Sequence, residues 1–180
     1  MASRPIELLI LGLGNVLCGD DGLGPTAVAH LEHDWLEPEG CRLADGGTLG
    51  LALLPLVEDA RRVVLIDAVR LDEAPGSPVR LEGEELEPAV RERLSVHQVG
   101  VADILDALRW RDRLPESLVL LGLVPESVGL GLGLSPPVAA ALPSLVERVL
   151  AEAADRGFPF QPRDASALVS APHARALFGL

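Results

Sequence analysis

Apolar residues run almost unbroken over residues 6–11, 63–66 and 117–124, while the stretches between them place apolar side chains at helical spacing. A short continuous apolar run suits a strand buried on both faces of a parallel sheet that helices cover on either side. The spacing predicts a helix through Leu23, Val28, Ala29, Leu31 and Trp35, ended by Pro38 and Gly40, and another through Val101, Ile104, Leu105 and Leu108. A third begins at Ser135-Pro136, with the hydroxyl as N-cap and proline at the first helical position. Its stripe of Val138, Leu142, Leu145, Val146, Val149 and Leu150 docks it on the sheet, and Pro143 should kink or restart it. A short strand over residues 42–44 leads into Asp45-Gly46-Gly47-Thr48, a turn expected to cap a helix over Leu51, Leu54 and Leu56. Residues 71–87, rich in Pro, Gly and Glu, read as a surface excursion with an edge strand over 78–81. Strands alternating with helices predict a three-layer α/β/α domain with a mainly parallel, twisted sheet. That single domain is expected over residues 1–155, and residues 156–180, with several prolines and weak periodicity, read as a peripheral C-terminal tail, partly disordered.

Composition narrows the class of protein. At 180 residues and 48% hydrophobic content the chain fits one globular domain with a sizeable core. Its formal net charge is −12, and all 15 basic residues are arginines, which argues against nucleic acid as a partner. The start of the chain shows no signal peptide, and no apolar run approaches the roughly 20 residues that a membrane helix needs. A cytoplasmic location is therefore expected, with no membrane partner. Cys18 and Cys41 form neither a Cys-x-x-Cys pair nor a disulfide framework, in keeping with a reducing compartment. Cys18 lies in a glycine-rich loop, where a small buried thiol is favoured over a nucleophile or soft metal ligand because no activating group is near in sequence.

That loop, Gly12-Leu13-Gly14-Asn15-Val16-Leu17-Cys18-Gly19-Asp20-Asp21-Gly22-Leu23-Gly24, carries the main candidate chemistry. It follows the first strand, at the sheet end where ligands of open α/β folds bind. It is not a dinucleotide fingerprint, because Leu17 stands where the third glycine belongs, and it is no P-loop, because the chain has no lysine. Adjacent carboxylates suit a metal ion or a proton better than a phosphate. They equally suit the positive end of a following helix, so capping is the favoured role for Asp20 and the functional role is favoured for Asp21. Asp67 ends the run Val63-Val64-Leu65-Ile66, where a central strand delivers a side chain to the crevice; a turn or cap is the alternative. His97 falls at a helix N-terminal end, which disfavours imidazolium and leaves the ring free to ligate a metal or accept a proton, unless its role is structural. Asp21, Asp67 and His97 can reach one crevice, and two carboxylates with an imidazole suit a borderline divalent metal such as nickel or zinc. His30, His33 and His173 have no comparable setting.

The glycine loop, Asp45-Gly46-Gly47-Thr48, Leu65-Ile66-Asp67-Ala68, His97-Gln98-Val99-Gly100, and Gly122-Leu123-Val124-Pro125 with Leu134-Ser135 occur in this order. Together, over roughly residues 8–154, they closely resemble the hydrogenase maturation proteases. The resemblance implies an endopeptidase that removes the C-terminal extension of a nickel-iron hydrogenase large-subunit precursor once nickel is inserted, so that the subunit closes and assembles. Matched motif by motif, it makes Asp21, Asp67 and His97 the catalytic and metal-contacting residues. The family often has glutamate at the first of these positions, and aspartate shortens the reach by one methylene. The expected cofactor is nickel supplied by the precursor, with no organic cofactor; a metal or a carboxylate could activate water, and the sequence does not decide which group is the general base. Gly46 and Thr48 fall in a motif expected near the substrate cleft. Two other classes compete: a metallohydrolase with its own zinc and a non-catalytic maturation chaperone; a dinucleotide-binding protein is disfavoured by Leu17 and the paired acids.

Overall fold

A computed structural model describes residues 6–86 and 101–163. Strand β1 (Ile6–Leu13) feeds through the glycine loop into helix α1 (Leu23–Asp34) and a short strand β2 (Trp35–Leu36). Strand β3 (Cys41–Gly47), helix α2 (Leu54–Glu58) and strands β4 (Ala60–Ala68) and β5 (Pro78–Glu82) follow. Helix α3 (Val101–Trp110), strand β6 (Ser117–Leu123), helix α4 (Pro136–Asp155) and strand β7 (Gln161–Pro162) complete the described chain. The main sheet has five strands in the order β3-β1-β4-β6-β5, all pairs parallel except β5 with β6. Chain order reverses beside β1: β3 lies on one side and β4 on the other, which opens a crevice between the carboxyl ends of β1 and β4.

Period-two alternation sorts the strands into two cores. Leu9, Leu11, Val63, Leu65 and Leu120 pack with Leu53 and Val57 and with Ile104, Leu105 and Leu108 of α3. Leu8, Ile10, Val64, Ile66, Val119 and Leu121 pack on the opposite face against Leu23, Val28 and Leu31 of α1 and Val138, Leu142 and Leu145 of α4. The sheet is therefore the middle of three layers, the α/β/α architecture that the alternating elements predict. Leu121 stands among these residues at 1% exposure. Leu121→Ala should lower stability by about 2–5 kcal/mol, since lost transfer energy and a cavity add. A drop in the denaturant midpoint at unchanged slope is the expected reading.

Several boundaries differ from the sequence expectation, each for a local reason. Asp45, Gly46 and Gly47 belong to β3, which extends past residue 44, and the Asp45 carboxylate accepts the Gly47 N–H at 2.8 Å instead of capping a helix. The segment after it is a 3-10 turn (Gly50–Leu53) running into α2, and it buries Leu53 and Val57 while Leu51 is exposed. On α1 the buried side chains are Leu23, Pro25, Ala27, Val28 and Leu31; Ala29 faces solvent, because two residues of helix turn it roughly 200° from Ala27. Trp35 lies beyond the helix, in β2. Pro143 does not restart α4, which continues as one helix through it. Pro143 and Ala139 are both exposed, so the carbonyl that lacks a helical donor faces water while Leu142 and Leu145 hold the buried side.

The excursion after β4 does return as an edge strand, with Val79 and Leu81 buried and Pro78, Arg80 and Glu82 outward. Proline and charge blunt such an edge. The Arg80 guanidinium bonds Glu82 and Glu152, tying β5 to α4, and its bond to Glu152 draws that carboxyl below its ordinary pKa. After α4 the chain returns to α1: β7 pairs antiparallel with β2, Phe158 and Phe160 pack on the α1/α4 core, and the Arg163 side chain donates to the carbonyls of Glu32 and Trp35. Among the described residues no helix is long and apolar enough to cross a membrane.

Candidate functional site

The glycine loop closes over the carboxyl end of β1 through contacts that tolerate no side chain. Gly14 has φ of +123°, and a Cβ there would lie 1.7 Å from the Asp21 carbonyl oxygen. A Cβ on Gly24 would lie 2.3–2.4 Å from the Leu13 backbone and the Ile66 carbonyl oxygen, so α1 starts directly against β1 and β4. Between these glycines a 3-10 turn (Gly19–Gly22) presents Asp20 and Asp21, both inaccessible to solvent at 1% and 0% exposure.

Asp21 Oδ2 accepts the Asn15 N–H at 2.8 Å. Its Oδ1 is buried and has no hydrogen-bond partner among the described residues. An unsatisfied buried carboxylate oxygen is costly, and a hydrogen-bond donor, a proton or a cation would satisfy it. Asp67 stands in β4, also at 0% exposure, with Oδ1 accepting the Ala68 N–H at 2.7 Å. Gly12 of β1 pairs with Ile66, so Asp67 comes at the same end of the sheet as the glycine loop, whose 3-10 turn brings Asp21 back against Gly14 just past β1. Gly122 pairs with Asp67 from β6, and a Cβ at that position would lie 2.2 Å from the Asp67 carbonyl oxygen. His97 lies outside the described residues, and among those described no group of three His, Cys, Asp or Glu side chains is placed to hold a metal.

Asp20 takes a different part from the cap expected of it. No side-chain capping bond forms at the start of its own helix. Its carboxylate instead reaches the segment after β6, accepting the N–H groups of Glu126, Ser127 and Ser135 and the Ser135 hydroxyl at 2.6–3.1 Å. Ser135 does occupy the N-cap position of α4, but its hydroxyl is spent on Asp20. In the sequence, the separation of 115 residues between Asp20 and Ser135 hides this partnership.

Both cysteines are buried and free. Burial, helped by the nearby Glu37 charge, pushes the Cys41 thiol up to about 12. It should therefore resist a thiol-specific reagent at pH 8 in the native protein and react only after unfolding, which a colorimetric thiol count with and without denaturant would read. His30 and His33 are exposed on α1 and take no part in the crevice.

This arrangement has close counterparts among known proteins. Residues 25–152 match the family model described as hydrogenase maturation protease. The chain is 36% identical over 161 residues to the hydrogenase 2 maturation protease of Escherichia coli strain K12, covering 89% of this chain and 98% of that one. The chain belongs to the hydrogenase maturation protease family. Its activity is that of a hydrogenase maturation endopeptidase. A solved structure of the hydrogenase maturating endopeptidase HybD from E. coli superimposes with a TM-score of 0.83 at 35% identity, covering 87% of this chain and 98% of that one. A [NiFe] hydrogenase maturation protease from Thermococcus kodakarensis does so with a TM-score of 0.67 at 33% identity, covering 82% and 99%.

Proposed function

We propose that this endopeptidase removes the C-terminal extension of a nickel-iron hydrogenase large-subunit precursor after nickel insertion, and that nickel held by the precursor is its recognition element. The observation that carries the reading is the pair of fully buried carboxylates, Asp21 and Asp67, at the same end of the sheet, with Asp21 Oδ1 awaiting a partner. In a site of low effective dielectric, such carboxylates attract a divalent cation more strongly than surface acids do. His97, matched by motif, supplies the third donor.

Nickel is here part of the substrate. Asp21, Asp67 and His97 contact it and thereby hold the adjacent scissile peptide at a fixed position, and positioning alone removes much of a barrier to hydrolysis. The attacking water is activated by the ion or by a carboxylate beside it. Both acids are closed off from solvent, so contact with a precursor-borne ion requires the crevice to open. Metal analysis of the isolated protein, paired with the length of precursor it yields, tests the reading. Shortened precursor from a protein with no stoichiometric metal supports it. Stoichiometric zinc indicates a conventional metallohydrolase, and precursor bound at unchanged length indicates a chaperone.

A further inference from the structure

The glycine loop and the segment after β6 are bound into one unit beside the candidate site. Asp20 N–H donates to the Ser127 carbonyl, Gly19 N–H to the Gly131 carbonyl and Gly131 N–H to the Leu17 carbonyl, all at 2.9–3.0 Å. The buried Asp20 carboxylate adds its four bonds to Glu126, Ser127 and Ser135. So much hydrogen bonding would suit a segment that packs inward, yet this one turns apolar side chains outward. Leu130 and Leu132 are 93% and 84% exposed, and Val16 and Leu17, on the paired loop, are half exposed. Leucines this exposed, flanking a glycine that is bonded to the loop that carries Asp21, add nothing to the core.

We propose that Asp20 is a positioning residue for cleavage: it fixes residues 126–135 as a wall beside Asp21, and Leu130 and Leu132 on that wall grip an apolar stretch of the precursor. The inference rests on the proposed function and names the part of the substrate that the same site holds. The occupant is the precursor, not a second copy of this chain, because the wall adjoins Asp21 through its neighbour Asp20, so whatever seats on it lies across the crevice. Asp20 never touches the reacting peptide. It acts through the leucines, and that separates its role from a purely structural one.

The test compares cleavage of one precursor by wild type, Asp20→Asn, the double variant Leu130→Ser/Leu132→Ser, and all three changes together. In Asp20→Asn one carboxylate oxygen becomes an N–H₂ that confronts at least one donor, and the wall loosens. The leucine variant changes only exposed positions and should fold normally. Each should raise KM about tenfold with kcat within about twofold of wild type, because a contact shared by ground and transition state was lost. The combined variant should be no worse than the poorer of the two, since both changes remove one contact. Ser135→Ala, which deletes one of the four bonds, should give a smaller rise in KM and carries the Asp20 arm if Asp20→Asn does not fold.

Wild-type KM in the leucine variant, or multiplied effects in the combined one, overturns the inference. So does a leucine-dependent dimer of wild type that vanishes in the double variant without change in KM. If wild type binds the precursor but does not shorten it, the proposed function fails, and the same variants are read by precursor affinity, with the same fold changes expected. If wild type neither binds nor cleaves, both readings fall.

Discussion

Asp21→Asn should abolish precursor processing, with a loss of about a hundredfold or more, while leaving the protein at least as stable as wild type. The amide can keep its oxygen on the Asn15 N–H, so the loop retains its anchor. What changes is the second oxygen, now an N–H₂ that repels a cation instead of binding it. Removing a charge from a site of 0% exposure also removes its desolvation cost, so a melting temperature equal to or above that of wild type is expected. Activity measured by intact mass and stability by thermal melting should thus move in opposite directions. Processing within about tenfold of wild type, or a severe loss of stability, would show that the carboxylate serves the fold.

Gly14→Ala should have the largest effect on stability among single changes in the loop, about 3 kcal/mol or more. Its φ of +123° lies where side chains are strained, and the added Cβ would meet the Asp21 carbonyl oxygen at 1.7 Å. Neither problem can be relieved by rotating a side chain, because both involve backbone. Relief requires the Asp20-Asp21 turn to lift from the end of β1, so residual folded protein should also have lost processing. Chemical denaturation gives the stability change, and a variant within about 1 kcal/mol of wild type would contradict the close approach on which the site is built.

The two-sided strands were legible because a run such as Val63-Val64-Leu65-Ile66 has few other uses, and Asp67 was legible as an acid carried to the end of a buried strand, where it is fully buried. The extent of β3 was not, since Asp45-Gly46-Gly47 has the composition of a turn and is kept extended by pairing with β1. Pro143 misled in the opposite sense: its exposure on a docked helix removes the penalty that its chemistry announces. Asp20 was the deepest miss. A carboxylate three residues before a helix looks like a cap, and only the return of the chain after β6 supplies the donors that claim it. The adjacent acids therefore differ in their bonding: Asp20 ties the glycine loop to the segment after β6, and Asp21 keeps one oxygen with no hydrogen-bond partner among the described residues.

In the proposed function, nickel carried by the precursor licenses cleavage beside Asp21 and Asp67. Its most direct test is the intact mass of a hydrogenase large-subunit precursor after incubation with this protein, in nickel-loaded and nickel-free forms. Loss of a C-terminal peptide from the loaded form alone is the predicted result. Equal shortening of both forms, or of neither, would contradict it.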